Sequence, residues 1–291
     1  MSSYEHEFGG EWTKKKLEVL KKYLSSYTTA LKYTSFEKIY IDAFAGTGYI
    51  SRRRKKAPYG LLFSKDDETE NYLEGSAIMA IKIKPSFDRY IFIEKNKTRC
   101  HELEKLEEIG KSIEIKKGDA NEEIKRICSA TDWSKSRAVL FLDPYGLQVE
   151  WETLKDISST KAIDVWYLFP IGPLNRLLTK TTDPDILHEK ETITRILGTQ
   201  EWFEEFYKKP SYKPLFANCD LPYYKKVNIK ELENFIIKRL ESVFPVVCNN
   251  PLLLKNSKHV PLYLLCFVCS NPNKKAQVLA LNIANYLLKE R

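Results

Sequence analysis

The chain has 291 residues, enough for one large α/β domain or two small ones, and at 43% apolar and 12% aromatic it can fill a sizeable core. No stretch approaches the roughly 18 uninterrupted apolar residues of a membrane span. The opening Met1-Ser2-Ser3-Tyr4-Glu5-His6 lacks the apolar region of a secretion signal, so cytoplasmic residence with no membrane partner is expected. The formal charge of +8 is moderate, compatible with nucleic acid without demanding it.

Residues 1–36 read as an N-terminal helical segment. Thr13 is placed to cap the helix, and Leu17, Leu20, Leu24, Tyr27 and Leu31 recur at helical spacing as an apolar stripe. Lys14, Lys15, Lys16, Lys21 and Lys22 lie mostly off that stripe. A buried strand over 38–44 then runs into Ala45-Gly46-Thr47-Gly48. Residues 51–74 form a charged insertion loop, in which Arg52, Arg53, Arg54, Lys55 and Lys56 precede Asp66, Asp67, Glu68, Glu70 and Glu74. Such a run is either a solvated face or a phosphate-binding segment.

Four more short apolar runs follow, at 90–94, 113–116, 138–143 and 163–169. Helical patterns at 75–84, 97–110, 121–130 and 151–158 separate most of the strands. This alternation predicts a mostly parallel twisted sheet with helices on both faces. Residues 173–244 read as a mostly helical insertion. Strands over 246–254 and 260–269 predict a C-terminal antiparallel hairpin, closed by a helix over Lys274–Lys289. With no repeat and no long linker, residues 1–291 read as a single domain.

The six cysteines do not form a metal site. Cys100, Cys128, Cys219 and Cys248 have no near partner, and the Cys266/Cys269 pair falls inside an apolar strand where a zinc knuckle needs turns. Buried core thiols are expected.

Chemistry gathers at the strand ends, where ligands bind in doubly wound sheets. Asp42, Glu94, Asp119 and Asp143 stand at or just beyond the ends of four successive strands. Gly46 and Gly48 allow a close backbone turn. The third glycine of a dinucleotide fingerprint is missing, because Tyr49-Ile50-Ser51 runs into the basic loop; this weighs against a nicotinamide-dependent oxidoreductase and for a cofactor without phosphates. Glu94 suits both hydroxyls of an adenosine ribose, and Gly118-Asp119-Ala120 suits an adenine amino group. In Asp143-Pro144-Tyr145-Gly146, the carboxylate and a neighbouring carbonyl can accept both protons of an exocyclic amine. This frees the nitrogen lone pair to attack a sulfonium methyl, while Tyr145 stacks on the base ring.

The series strand-Asp-x-Phe-x-Gly-x-Gly, strand-Glu, Gly-Asp-Ala, strand-Asp-Pro-Tyr resembles class I S-adenosylmethionine-dependent methyltransferases, which implies a Rossmann-like fold. Asp143-Pro144-Tyr145-Gly146 is similar to the motif of the tRNA guanine-N2 dimethyltransferases, and lacks the second proline of many adenine-N6 enzymes, so the target base stays open. Across nearly the whole chain the sequence resembles the three-Cys-motif partner family (TcmP), prokaryotic proteins named for a neighbouring radical-SAM-like protein. The matching signposts are Trp12-Thr13 with Lys16-Leu17, 40–48, Glu74-Gly75-Ser76, Phe92-Ile93-Glu94, 118–121, 141–147, 163–170 with Arg176, and the tail from Leu262. These resemblances imply S-adenosylmethionine held by Lys16, Asp42, Phe44, Gly46, Gly48, Glu94, Asp119, Ala120 and Asp143. Asp143, Pro144 and Tyr145 would be catalytic, and Arg52, Arg53, Arg54, Lys55 and Lys56 would bind nucleic acid. The other reading is a partner module, with or without cofactor, that assists the three-Cys-motif protein.

Overall fold

The computed structural model describes residues 11–51, 72–182, 189–211 and 221–289. The first helix, α1 (Glu11–Ala30), begins two residues before the expected cap, so Thr13 lies buried in its first turn. Its inward face carries Lys16, Val19, Leu20, Tyr23, Leu24 and Tyr27, the i, i+3, i+4 spacing of a helix covering a core.

Next come β1 (Glu37–Asp42), the hairpin strands β2 (Tyr49–Ser51) and β3 (Tyr72–Glu74), α2 (Ser76–Ile81) and β4 (Arg89–Glu94). They are followed by α3 (Lys97–Glu104), β5 (Ile113–Lys117), α4 (Ala120–Ala130), β6 (Ser136–Leu142), α5 (Trp151–Ser159) and β7 (Ile163–Phe169). The basic run 52–56 lies outside the described residues. Every one of the five expected strands forms, and they pair in parallel in the order β5-β4-β1-β6-β7. The chain fills one side of β1 and then returns to fill the other. This makes the carboxyl end of β1 the point where strand order reverses, the place where such sheets open a crevice.

The second half carries helices, as expected, and adds a small sheet that the sequence reading did not include. It holds α6 (Ile171–Leu177), β8 (Thr181–Thr182), α7 (Lys190–Leu197), α8 (Trp202–Phe206), β9 (Tyr207–Lys208), β10 (Tyr223–Lys225) and α9 (Ile229–Glu241). The three strands make a small antiparallel sheet ordered β8-β10-β9. Strands of two or three residues carry too little alternation to be legible.

The C-terminal part comprises β11 (Val246–Val247), β12 (Leu252–Lys255), β13 (Pro261–Cys269) and α10 (Lys274–Lys289). The expected strand over 246–254 is thus broken in two. Pro251 precedes β12 and has no N–H to give a ladder, and Asn249-Asn250 before it favours a turn. Both pieces run antiparallel to β13, which itself lies antiparallel to β7, so the expected hairpin is present.

The fold is therefore α/β and Rossmann-like, with one core on each sheet face. Ile41, Ile93, Leu140 and Tyr167 pack under α4, α5, α7 and α9. Tyr40, Phe92, Phe141 and Trp166 pack under α1, α2, α3 and α10. Cys266 belongs to the first core and Cys269 to the second, because residues three apart on a strand point oppositely. The pair cannot chelate one ion. Among the described residues no His/Cys/Asp/Glu group is arranged to hold a metal, and no helix is long and apolar enough to cross a membrane.

Candidate active site

Beyond β1 the chain is tied to both neighbouring strands: Ala43 N–H donates to the Phe141 carbonyl and Ala45 N–H to the Ile93 carbonyl, each at 3.1 Å. The loop then turns through Gly46 (φ +64°) and Gly48 (φ +80°), left-handed conformations that favour glycine. A Cβ on Gly46 would meet nothing within 4 Å, so its requirement is purely one of backbone angle.

Glu94 locks this turn. One carboxylate oxygen accepts from Gly46 N–H at 3.1 Å and the other from Asn96 N–H at 2.8 Å, and the side chain is buried. Each oxygen keeps a second lone pair. Asp119 caps α4, accepting from Asn121 N–H at 3.0 Å, while Lys95 sits 3.3 Å from its other oxygen. Partial burial raises the Asp119 pKa, but the Asn121 N–H and Lys95 outweigh that and hold the carboxyl below its ordinary range.

Together these residues line a cleft of about 700 Å³. Phe44, Ile93 and Leu147 supply apolar wall; Glu94, Asp119, Ala120 and Asn121 supply polar floor; Arg99 and Tyr145 stand at one side. Arg195 of α7 closes another side, its guanidinium 2.8 Å from Glu150. Tyr145 is 60% exposed and is held by its neighbours. Its N–H donates to Gln148 Oε1 at 3.0 Å, and the Arg99 guanidinium lies 5.4 Å from the ring centre. The same guanidinium reaches within 3.8 Å of Glu94, so one arginine spans the acid that ends β4 and the exposed ring.

Phe44, Glu94, Asp119, Ala120 and Tyr145 are thus brought to one cleft, whereas Lys16, Asp42, Gly46, Gly48 and Asp143 are not among its lining. Asp42 is fully buried: it accepts from Phe44 N–H at 3.3 Å, from the Tyr40 hydroxyl at 3.4 Å and from the Ser76 side chain. Burial pushes its carboxyl up to about 6; Ser76 opposes the rise, nearby Asp143 adds to it, and Lys16 counters it. Lys16, itself buried, donates to Asp143 and lies 5.0 Å over the Trp12 ring, which stacks on Tyr263. Pro144 is buried, and its carbonyl accepts from Gly146 N–H at 3.0 Å with Gly146 at φ +86°. The Asp-Pro-Tyr segment is therefore a tight turn that presents Tyr145 outward.

Asn121 is a positioning residue that sequence reading did not single out. Its side chain accepts from Glu150 N–H at 3.0 Å and from Thr153 at 2.8 Å, and donates to the Gln148 carbonyl at 2.9 Å. Those partners lie about 30 residues away, and no local pattern announces them. Asn96, likewise not singled out, does carry a local signal: it precedes α3 and accepts from Thr98 and Arg99 N–H as a helix cap.

No protein-family model matches the chain, and no curated protein matches it. Among solved structures, a Legionella pneumophila protein of the DUF519 family is 12% identical, with 93% of this chain and 91% of that one covered and a TM-score of 0.46. The M. jannaschii protein TYW2 in complex with AdoMet is 11% identical over 89% and 75% of the two chains, with a TM-score of 0.33. An S-adenosylmethionine-dependent methyltransferase from Clostridium acetobutylicum is 10% identical over 88% and 92%, with a TM-score of 0.36. The fold assignment rests on the strand order described above.

Proposed function

We propose that this chain is an S-adenosylmethionine-dependent methyltransferase acting on an exocyclic amine of a nucleic-acid base, and that it belongs to the three-Cys-motif partner family. The observation that carries the reading is the pairing of Glu94 and Asp119 at the ends of adjacent strands, facing one cleft at the point of strand reversal. The donor set fits the adenosine half of the cofactor. Glu94 has the spare lone pairs for two ribose hydroxyls, Asp119 can serve an adenine edge, and Phe44, Ile93 and Leu147 flank the base with apolar surface.

Bound there, S-adenosylmethionine supplies an electrophilic methyl group. The chain's own residues must place the amine. Asp143 keeps one carboxylate oxygen beyond the one that Lys16 engages, and its side chain is 25% exposed. That oxygen accepts an amine N–H and can take the proton the nitrogen must lose. Tyr145 offers an exposed ring for stacking, steadied by Arg99. Arg52, Arg53, Arg54, Lys55 and Lys56 would hold substrate phosphates.

A second reading is favoured by one observation: Lys16 already occupies the acid that should receive the substrate. A cofactor-binding module that assists a radical-SAM-like partner would show that arrangement without turnover. Titration calorimetry with S-adenosylhomocysteine and NADH, followed by tritiated-methyl transfer to cellular RNA and unmodified DNA, separates the readings. Binding with transfer is expected. Binding without transfer on any nucleic acid supports the module, and tighter binding of NADH than of S-adenosylhomocysteine refutes the cofactor.

A further inference from the structure

The outer face of α1 and the groove it forms with α10 are not used by the site above. Lys21, Lys22, Lys82 and Lys84 line one part of this groove, together with Ser25 and Tyr286, around a volume of about 940 Å³. Lys14, Lys15 and Lys22 line a second hollow of about 680 Å³ further toward the start of α1. The two share Glu18, Lys22 and Leu287 as walls, so they form one channel along the helix.

Among the described residues six lysines face this channel with two acids, Glu11 and Glu18, and Glu18 is 3.2 Å from Lys22. Among the described residues, Lys14, Lys15, Lys21 and Lys84 make no ion pair. Nearby, burial and then the charge of Lys84 hold the Lys111 ammonium below its ordinary range. Like charges held together on rigid helices repel in the free protein, and an anionic partner relieves that repulsion. Tyr286 adds an aromatic ring, 64% exposed, at the rim. Such a ring between phosphate-binding cations is the arrangement that binds unpaired bases. The second hollow lies at the end of α1 whose inward side chain Lys16 reaches Asp143, two residues from Tyr145, while Lys14 and Lys15 of the same turn face the hollow.

We infer that the α1–α10 channel is the track for the sugar–phosphate backbone of a single-stranded nucleic acid whose target base is delivered to Tyr145. The inference rests on the nucleic-acid reading of the substrate. A single strand is specified because both exposed rings need unstacked bases.

The test is fluorescence anisotropy with a labelled single-stranded RNA, a DNA strand of the same sequence and the matching duplex, each titrated across a range of salt. The triple variant Lys15→Ser, Lys21→Ser, Lys84→Ser should bind single strands at least tenfold more weakly. Its log–log salt slope should fall by about 2, since each phosphate contact on a single strand contributes roughly 0.7. The corresponding triple arginine variant should retain both, and Lys125→Ser with Lys155→Ser on the opposite sheet face should change neither. Whichever strand, RNA or DNA, shows the larger loss identifies the substrate class. Equal affinity and slope in the serine triple, an equal loss in the opposite-face control, a preference for duplex, or no binding by the wild type each overturns the track. S-adenosylhomocysteine binding, measured in parallel, is expected to be unchanged in the triple. Its absence in the wild type would sink the cofactor reading while leaving the track standing.

Discussion

Lys16 delivers its ammonium to the carboxylate of Asp143 from 127 residues away in sequence, with the lysine side chain 7% exposed and the aspartate 25%. The ion pair couples the first helix to the turn at the end of β6, and its two ends are unequally wet.

That asymmetry predicts unequal costs of breaking it. Asp143→Asn strands a buried ammonium and should cost about 1–3 kcal/mol in urea unfolding, the scale for leaving a buried polar partner unmatched. Lys16→Met leaves a carboxylate that water reaches, and should cost less. Methyl transfer by Asp143→Asn should fall by about 10²–10³, the range for deleting one transition-state contact. Transfer at the wild-type rate by this variant would leave Asp143 only a structural role.

Asp42 sets a pH dependence. Its folded-state pKa of about 6 exceeds the ordinary 3.8, so between those values the native state holds a proton that the unfolded chain has lost. Stability from this group is therefore greatest below about pH 4 and declines as pH rises to about 6. The loss approaches 3 kcal/mol, taking about 1.4 kcal/mol per unit. Asp42→Asn should remove that slope, gaining on the wild type by about 2–3 kcal/mol between pH 4 and 7.5. Parallel stability curves for the two proteins over this range would show that the Asp42 carboxyl titrates normally.

Glu94→Ala should weaken S-adenosylhomocysteine by about 1–3 kcal/mol and lower the melting temperature, since Gly46 and Asn96 N–H lose their acceptor. Glu94→Gln keeps one acceptor oxygen and should recover part of each. Unchanged calorimetric affinity in the alanine variant removes Glu94 from the cofactor site.

Tyr145→Ala should leave the melting temperature within error, because the ring is mostly exposed. Affinity for a single-stranded substrate should drop by about 1–3 kcal/mol through lost stacking. A stability loss without an affinity loss would make Tyr145 a packing residue.

Two glycines separate backbone angle from space. Gly46 and Gly198 both have φ +64°, yet a Cβ on Gly46 meets nothing, while one on Gly198 would fall 2.0 Å from the Trp151 ring. Gly46→Ala should cost about 1–2 kcal/mol, the left-handed penalty alone. Gly198→Ala adds overpacking of roughly 1–3 kcal/mol. Equal losses in denaturant titrations would contradict the contact with Trp151.

The sequence alone determined the parallel part of the sheet. Strands β1, β4, β6 and β7 carry continuous apolar stretches, while the edge strand β5 alternates as Ile113-Glu114-Ile115-Lys116. Both faces of a central strand are buried, so β7 reads as Ile163-Asp164-Val165-Trp166-Tyr167-Leu168-Phe169 without alternation. Acids at the strand ends were equally legible, because strand ends are local. Tertiary structure decided which acids share a space. Glu94 and Asp119 meet because β4 and β5 are adjacent, with Glu94 opposite Lys117 in the register. Asp42 turns inward to bond its own loop, a choice fixed by Tyr40 and Ser76 closing over it. Lys16 meets Asp143 only because α1 packs across the sheet face, a relation between elements that no local spacing encodes. The break between β11 and β12, and the small sheet β8-β10-β9, were likewise invisible, since strands so short take their conformation from their partners and not from their own side-chain pattern.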